Sequence, residues 1–494
     1  MHERVPSILV TVQHHPVLRQ MALVAAEQGL LPVYLVGGFV RDALLEHPRT
    51  LDIDLVSTDP LSLSAALHER FGGTVVCLTE RVRRVVFSQE EDRVQVDISP
   101  LRGGDIVEDL RRRDFTINAL AVSLGEEPTR LFDPTGGLRD LRKRQIRVGN
   151  PQVLTEDPLR LLRSVRLAAQ LEFRVDETTA HAIRHQAFRL TQVAPERLRE
   201  EFFEILDCSG GGRWLAVMDQ LDLLEALLPE TRAMRGCLQG PPHRYDVFTH
   251  SIETVRSLDR ILLALPKLLP TEAAFLIGPL QAEVEGGISR QAILRFAALL
   301  HDVGKPDTRS VEDGQIRFLG HAERGAGIVH EISTRIRLGT RASAMTTALV
   351  QEHLRPLFLR QATTLTPRAR YRFWRDLGVL TPELLLLSLA DIRATWGTEG
   401  RDFQSHLRFV REMFSFHRER MGASEQTGKR ESVMDGHELM ARMNLSPGPF
   451  VGFLLERLRE EVSLGSLSTK EEALRYLKRH LDTLREAFAR GESP

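Results

Sequence analysis

The sequence is poor in the features that mark disulfide-bonded, zinc-thiolate and membrane proteins. Its three cysteines, Cys77, Cys208 and Cys237, stand far apart, so we expect neither a disulfide framework nor a cysteine zinc site. Apolar runs such as Leu384–Leu387 are much too short to cross a bilayer, and the N-terminus shows no signal-peptide pattern. These absences predict a cytoplasmic protein that has no contact with a membrane.

Neither sign of charge is in excess. The chain has 66 lysines and arginines and 67 acidic residues, which gives a formal net charge of −1. This balance neither supports nor excludes a polyanionic partner, since the local distribution of basic residues matters more than their sum. At 494 residues the chain is too long for one compact core, and we expect two to four domains.

The spacing of apolar residues changes along the chain. Short strand-like runs at Pro32–Val36, Leu51–Val56 and Arg93–Ile98 alternate with helical segments in the first part. From about Asp157 onward, apolar residues repeat at three and four positions, as they do in helices. We expect an α+β head domain at 1–148, a helical neck at 149–235, a second helical domain at 236–420 and, after a linker near Gly422–Lys429, a helical tail at 430–494.

A glycine turn follows the first strand-like run. Gly37 and Gly38 come directly after Val36, and Arg41 lies one turn into the helix that follows. Glycines let backbone N–H groups approach an anion, and the N-terminus of a helix favours negative charge. These residues are candidates for holding a triphosphate, with an ordinary strand–helix turn as the alternative.

Three acidic residues stand on the next strands. Asp52 and Asp54 are two positions apart, so their side chains point to one face of a strand. Their mutual repulsion is relieved by a cation, for which Mg²⁺ is the usual choice beside phosphate. Asp97 supplies a third carboxylate from a neighbouring strand. This set suits two-metal phosphoryl transfer, with a solvated strand end as the alternative.

Two later segments carry polar residues in unusual positions. Asn118, among apolar neighbours shortly after Arg113 and Asp114, needs a polar partner such as a ribose or phosphate. Asp157 and Arg160 open a helix, and their spacing predicts that they share one face. A carboxylate beside a guanidinium matches C and A, which present an amine next to an unprotonated ring nitrogen, and leaves polar groups unpaired against G and U. Simple capping is the alternative for Asp157.

These motifs occur in the order found in a known family. Gly-Gly-x-Val-Arg-Asp, Asp-x-Asp, Arg-Arg-Asp-Phe-Thr-x-Asn-Ala and Glu-Asp-x-x-Arg-x-x-Arg resemble the motifs of class II tRNA nucleotidyltransferases and bacterial poly(A) polymerases over the first half of the chain. The resemblance implies a polymerase-β-like head with a mixed sheet and helices, followed by a helical neck, body and tail. It also implies transfer of C and/or A from CTP and ATP to the 3′ end of tRNA.

The resemblance further implies a role for each motif. Mg²⁺ would be bound by Asp52 and Asp54, the ribose would be read by Arg113 and Asp114, and the base by the later pair, with Arg163 nearby. A basic run from Arg139 to Arg147 lies between the nucleotide motifs, where RNA phosphates would pass. A solvated helix face is the alternative for that run.

One segment departs from the family pattern. Between Asp54 and Asp97 the chain lacks the His-Gly-Thr sequence of many full CCA-adding enzymes, and this region influences the switch from C to A addition in the family. The sequence therefore leaves open a CCA-adding, a CC-adding, an A-adding and a poly(A)-forming enzyme. A protein that binds tRNA without catalysis is a further alternative.

The second half of the chain carries a His301-Asp302 pair among scattered histidines. An adjacent histidine and aspartate can bind one metal together, and the set resembles the HD superfamily, whose members bind divalent metals such as Mn²⁺, Mg²⁺, Ni²⁺ or Fe and are often phosphohydrolases. Phosphohydrolysis is therefore an alternative main activity, and His330 competes with His321 as a ligand. The implied ligands are His250, His301, Asp302, His321, His353 and Asp391.

Overall fold

The computed structural model describes residues 9, 12, 14–46, 52–89, 92–125, 129–397, 400–420 and 434–491. The chain divides into two compact units, the first formed by 1–209 and 213–229 and the second by 210–212 and 230–494. A search of the described residues finds no helix with the length and apolarity needed to span a membrane.

The first unit is built around a seven-stranded sheet. The strand order is β3-β4-β5-β2-β1-β6-β7, and the sheet is mixed because β2 and β5 run parallel whereas the other neighbours are antiparallel. The strands are β1 Val33–Val36, β2 Asp52–Ser57, β3 Thr74–Cys77, β4 Arg83–Gln89, β5 Asp92–Pro100, β6 Ala121–Leu124 and β7 Leu131–Phe132. This arrangement confirms the expected mixed sheet with helices.

Local sequence accounts for the helices beside this sheet. Pro60 opens the third helix, where the Asp59 side chain accepts from the Ser62 backbone N–H, and Asp105 caps the fourth in the same way. Apolar side chains from β1, β2 and the fourth helix, including Val36, Val56 and Leu110, pack into one buried cluster. The helices are α1 Pro16–Glu27, α2 Gly38–Leu45, α3 Pro60–Phe71, α4 Ile106–Arg111 and α5 Gly137–Lys143.

Helices and a short parallel strand pair complete the first unit. The pair is β8 Gln145–Ile146 and β9 Arg174–Val175. The helices are α6 Gln152–Glu156, α7 Arg160–Leu171, α8 Glu177–Gln186, α9 Pro195–Asp207, α10 Gly211–Gln220 and α11 Leu223–Leu227, with 3₁₀ turns at Thr116–Asn118 and Ala187–Gln192.

The second unit is helical, with two short hairpins. Its strands are β10 Glu283–Glu285, β11 Ile288–Ser289, β12 Arg309–Glu312 and β13 Gln315–Phe318. Its helices are α12 Thr231–Met234, α13 Val247–Leu263, α14 Leu265–Leu268, α15 Ala273–Gln281, α16 Arg290–Leu300, α17 Lys305–Thr308, α18 His321–Arg335, α19 Thr340–Glu352, α20 Arg355–Gln361, α21 Pro367–Leu377, α22 Thr381–Trp396, α23 Arg401–Arg420, α24 Gly436–Met443, α25 Pro449–Ser463 and α26 Lys470–Ala489, with a 3₁₀ turn at Gly378–Leu380.

The observed elements agree closely with the sequence patterns. The break in helical pattern at Ser209–Gly212 predicts a loop there, but Gly211 already begins α10. The linker expected at Gly422–Lys429 lies outside the described residues. The boundaries between the four proposed domains stay a prediction, since the chain's two compact units divide it only at residues 209–230.

Candidate functional site

The three head carboxylates lie on adjacent strands. Asp52 and Asp54 project from the same face of β2, and Ile53 between them is buried. The parallel pairing of β2 with β5 sets Asp54 directly opposite Asp97. The strand period therefore brings the acids to one face of the sheet, as the sequence predicted.

The glycine turn packs directly against Asp54. Gly37 has φ of 76°, and a Cβ placed there would lie 2.8 Å from Asp54 Oδ2. Only glycine leaves room for the carboxylate beside this backbone. Asp54 is open to a cavity beside it, but the protein around it displaces part of its hydration and so raises the pKa of its carboxyl; Asp97 and Asp52 raise this pKa further, against the lowering effect of Arg113 and Arg163. A divalent cation would stabilise the ionised form of such a carboxylate, so this site fits a hard metal ion.

Asp97 differs from the other two acids because an arginine already neutralises it. Arg84, directly across β4 and β5, donates from Nε to Asp97 Oδ1 at 2.7 Å and from Nη2 to Oδ2 at 2.8 Å. The expectation that three carboxylates converge on metal is thus only partly met. Among described residues, the trios of candidate ligand atoms that lie within 4.8 Å of one another all belong to the second unit.

A polar cavity of about 250 Å³ opens beside the glycine turn and Asp54. Most of the expected nucleotide-binding residues share it, although Arg41, Asp52, Asp97 and Asp157 are not part of its lining. Its lining residues are Val36, Gly37, Gly38, Asp54, Leu55, Ser99, Arg102, Asp109, Arg113, Asp114, Asn118, Arg160 and Arg163. Five cationic or amide side chains around three carboxylates form a surface suited to a triphosphate and its counter-ion.

Arg41 and Asn118 bind each other instead of being free for a ligand. Arg41 Nη1 donates to Asn118 Oδ1 at 2.9 Å, and Arg41 also forms a two-bond ion pair with Asp42. The partner that Asn118 required is therefore Arg41. Because Asn118 still lines the cavity, this pair stiffens the wall beside Gly38.

Asp157 and Arg160 do not share a helix face, contrary to the sequence expectation. Asp157 has an extended backbone between α6 and α7, with φ of −137° and ψ of 96°, whereas Arg160 is the first residue of α7. Arg160 Nη1 donates to the Val153 carbonyl at 2.9 Å, and Arg197 Nη2 lies 3.0 Å from Asp157 Oδ2. Pro158 explains the difference, because proline disfavours helical backbone in the residue before it.

The basic run from Arg139 to Arg147, which begins on α5 and continues past β8, is divided between structural and exposed residues. Arg147 donates to the buried Asp140 carboxylate and to the Thr135 carbonyl, each at 2.7 Å. Arg142 and Lys143 are exposed. The exposed members remain candidates for RNA phosphate contact, and Arg147 acts in local packing.

The second unit brings all six expected metal ligands into one buried cluster. His301 Nε2 lies 3.2 Å from Asp302 Oδ2, and His250 Nε2 lies 3.0 Å from Asp391 Oδ1. On the other side, His321 and His353 place their Nε2 atoms 3.5 and 3.6 Å from Asp302 Oδ1. His330 is exposed on α18, so His321 is the ligand candidate of the two.

The backbone aims three of these imidazoles inward. The Nδ1–H groups of His301, His321 and His353 donate to the carbonyls of Ala298, Phe318 and Val350 at 2.9, 2.7 and 2.7 Å. Each carbonyl lies three residues earlier, so the end of the preceding helix or strand fixes each ring. This hydrogen bond leaves Nε2 unprotonated in the neutral ring, which is the form that binds metal.

The electrostatics of the cluster also fit metal ions. His321 Nε2 and His353 Nε2 face each other at 3.3 Å, an arrangement that a cation between them would stabilise. Burial lowers the pKa of His353 to about 3 and also lowers that of His321. Two buried atoms, His301 Nε2 and Asp302 Oδ1, have no hydrogen-bond partner. Two trios share Asp302, namely His250–His301–Asp302 and Asp302–His321–His353, so the donor set fits two neighbouring divalent ions.

Close packing holds the His-Asp turn against α18. A Cβ on Gly304 would lie 2.2 Å from the His321 carbonyl oxygen, so glycine is required where the two ligand-bearing segments meet. Lys305 Nζ donates to Asp302 Oδ2 and to Gln239 Oε1, both at 2.7 Å. Despite its burial, Asp302 has a pKa well below its usual value because His301 and Lys305 stabilise the carboxylate.

Three parts of the chain match known protein families. Residues 33–147 match the poly A polymerase head domain, 172–234 the probable RNA- and SrmB-binding site of polymerase A, and 247–396 the HD domain. The chain is 34% identical to the A-adding tRNA nucleotidyltransferase of Deinococcus radiodurans over 452 residues, covering 90% of this chain and 94% of that protein. The chain belongs to the tRNA nucleotidyltransferase family.

Further tRNA nucleotidyltransferases resemble the chain over almost its whole length. The CC-adding enzyme of Thermus thermophilus is 32% identical over 456 residues, covering 90% of this chain and 92% of that enzyme. The structure of a CCA-adding enzyme with CTP has a TM-score of 0.67 at 22% identity, covering 97% of this chain and 98% of that one. The Thermotoga maritima CCA-adding enzyme with tRNA has a TM-score of 0.64 at 22% identity, covering 97% and 98%. These likenesses confirm the expected family and fold.

Several site residues of this tRNA nucleotidyltransferase were missed by the sequence reasoning. In the head they are Arg84, Ser99, Arg102 and Asp109, and in the second unit Lys305. Asp109 and Lys305 could have been found, because Asp109 stands four residues before Arg113 and Lys305 three residues after Asp302. Residues at these spacings share a face in a helix. Arg84 carries no such local signal.

Proposed function

We propose that the head adds C, A or both, from CTP and ATP, to the 3′ end of tRNA and releases pyrophosphate. The observation that carries this proposal is the joint position of Asp54, the bare Gly37 backbone and the arginine-lined cavity on one face of the sheet. In the reaction the terminal 3′-oxygen forms a bond to the α-phosphorus of the nucleotide, and the bond from that phosphorus to pyrophosphate breaks.

Each part of the site has a task in this reaction. Asp52 and Asp54 would hold Mg²⁺, which when bound activates the hydroxyl and stabilises the leaving group. The backbone N–H groups at Gly37–Gly38 and the side chain of Arg163 face the cavity and would orient the triphosphate, whereas Arg113 and Asp114 on the same cavity would read the ribose 2′-hydroxyl. Holding the two reactants in line lowers the entropic part of the barrier.

The family resemblance gives base selection to Asp157 and Arg160, of which Arg160 lines the cavity and Asp157 precedes its helix. The ion pair with Arg197 and the hydrogen bond to the Val153 carbonyl hold the two side chains in defined positions. The carboxylate would accept from the exocyclic amine of C or A, and the guanidinium would donate to the ring nitrogen. G or U would leave these groups unpaired, at a cost of roughly 1–3 kcal/mol each.

Separate incubations with each nucleoside triphosphate test this proposal. The acceptors are tRNA that ends before CCA, tRNA that ends after CC, and complete tRNA. We expect CTP or ATP to extend only the acceptor that lacks the matching nucleotide. A long ladder from ATP on every acceptor would indicate poly(A) synthesis instead, and tight tRNA binding without any incorporation would contradict the enzyme assignment.

The HD domain favours phosphohydrolysis as a second activity. Support comes from five buried ligand candidates in one cluster, with Asp391 beside His250, and from the lack of hydrogen-bond partners for His301 Nε2 and Asp302 Oδ1. Bound Mg²⁺ or a transition metal would supply a hydroxide nucleophile there at neutral pH. Phosphate release from nucleotides and cyclic nucleotides, measured with Mg²⁺, Mn²⁺ or Ni²⁺, should disappear in His301→Ala. If no phosphate is released with any of these metals, the cluster has only a structural role.

A further inference from the structure

Asp109 is a buried acid on the wall of the nucleotide cavity, close to the C-terminal end of α4. Only 2% of its surface is exposed, and its two carboxylate oxygens have different partners. Oδ1 accepts from the Arg102 backbone N–H at 3.1 Å, and Oδ2 accepts from Arg113 Nε at 3.0 Å. Arg102, Asp109 and Arg113 all line the cavity, so one carboxylate ties together two parts of its wall.

The contact with Arg113 restricts that side chain to one orientation. A guanidinium has five N–H donors in a rigid plane, and fixing Nε also fixes the direction of the two terminal nitrogens. Arg113 and Asp54 line the same cavity, so the guanidinium lies on the side of the proposed metal-binding acid. Without Asp109 this flexible side chain would have to be ordered by the nucleotide itself, at a cost in binding.

We propose that Asp109 is a positioning residue that holds Arg113 for recognition of the nucleotide ribose. The inference rests on the proposed function, in which Arg113 and Asp114 read the 2′-hydroxyl. Asp109 acts through Arg113 and touches no substrate itself. A buried hydrogen bond to a charged group supplies enough energy for discrimination of about tenfold or more.

Glu108 provides a matched control on the same helix. It pairs with Arg112 at the same four-residue spacing and also accepts from the Gly104 N–H at 2.8 Å, in the loop that contains Arg102. The Glu108–Arg112 pair is about half exposed and neither residue lines the cavity. Glu108→Gln therefore weakens a comparable ion pair and a hydrogen bond to the same loop, and it leaves the contacts of Arg113 unchanged.

The test compares ATP with 2′-deoxy-ATP, and CTP with 2′-deoxy-CTP, in the full-length protein. Incorporation into tRNA gives kcat and KM, and calorimetric binding with Ca²⁺ in place of Mg²⁺ gives a second measure. The ribose preference is the ratio of kcat/KM for the ribonucleotide to kcat/KM for the 2′-deoxynucleotide. In Asp109→Asn we expect this ratio to fall by about tenfold, mainly because KM for the ribonucleotide rises. Glu108→Gln should keep the wild-type preference.

A double-mutant cycle separates positioning from general damage. Arg113→Ala alone should lose the same preference, and Asp109→Asn should reduce it no further in that background. Equal losses with ribo- and deoxyribonucleotides, or a further loss in the double variant, would overturn the inference.

Failure of the proposed function would look different. A wild-type protein that transfers no nucleotide contradicts that function, and the binding measurement still tests Asp109. A wild-type protein that binds ATP and 2′-deoxy-ATP equally contradicts the positioning role.

Discussion

The head site and the histidine cluster present their candidate metal ligands in opposite ways. In the head, Asp52 and Asp54 lie on an open sheet face, and Arg84 neutralises the third acid. In the HD domain, six ligand candidates lie together, and backbone carbonyls orient three of the rings. On the proposed function the head would need the incoming nucleotide and metal to complete its site, whereas the fold alone brings the ligand candidates of the HD cluster together.

This difference has a physical basis in the substrates. A nucleotide carries its own charge and metal, so an open polar cavity suffices. A resident metal needs unprotonated ligands at fixed positions before it arrives, which buried imidazoles with bonded Nδ1–H groups supply.

The largest expected effect is a loss of nucleotide incorporation in the head without any change in the HD domain. Asp52→Asn with Asp54→Asn should lower nucleotide incorporation by about 10³-fold or more, because both carboxylates act in the transition state. The metal content of the HD domain, measured by mass spectrometry of the purified protein, should not change. A double variant that retains substantial incorporation would refute the assigned metal site.

The converse change should remove the other site only. His301→Ala leaves Asp302 without its nearest imidazole, and we expect metal affinity to fall about 100-fold, as measured by competition with a chelator. Nucleotide incorporation should stay within about twofold. His330→Ala, on the exposed face of α18, is the matched control and should change neither property.

The Arg84–Asp97 pair tests how much of the head site is preformed. If Asp97 leaves Arg84 to bind metal in the nucleotide complex, Asp97→Asn should lower kcat about 100-fold and Arg84→Met about tenfold or less. Single-turnover incorporation measures both. Equal losses in the two variants would indicate that the pair acts only in holding β4 against β5.

The smallest expected effect is a difference in acid stability. Burial lowers the pKa of His406 in the second unit to about 3, so this ring is neutral in the fold but binds a proton below about pH 6.5 when unfolded. The free energy of unfolding therefore has its full value above pH 6.5. It decreases by about 2 kcal/mol between pH 6.5 and 5, because the unfolded chain binds the proton that the buried ring does not. In the head, the pKa of Asp54 is raised in the fold. Protonation of Asp54 as the pH falls therefore stabilises the head, which is the opposite of the effect of His406.

We therefore expect acid to destabilise the second unit before the head. Urea unfolding at pH 7 and pH 5, followed by the fluorescence of Trp214 in the first unit and of Trp374 in the second, measures this directly. His406→Gln should flatten the pH dependence of the Trp374 transition. An unchanged slope in that variant would exclude His406 as the source.

Local periodicity explains why so much of both sites could be predicted from the sequence. The two-residue spacing of Asp52 and Asp54 determines their common face in any strand, and the His301-Asp302 pair at the end of an apolar helix marked the cluster. The mixed sheet and the helical second half followed from the change in apolar spacing.

Long-range register explains what the sequence did not reveal. Arg84 meets Asp97 only because β4 and β5 pair antiparallel with those two residues opposite each other, and the two residues are thirteen positions apart with no local pattern that links them. Asp157 lies outside its helix because Pro158 follows it. Arg41 and Asn118 are 77 positions apart, so their contact depends on the assembled head.

The most direct test is a crystal structure with Mn²⁺ and a non-hydrolysable CTP or ATP analogue, in which anomalous scattering locates the metal. We expect a manganese peak bound by Asp52 and Asp54, with the triphosphate against Gly37 and Gly38, and separate peaks within the histidine cluster. A nucleotide bound elsewhere, or a triphosphate at the glycine turn with no metal on either aspartate, would contradict the assignment of the head.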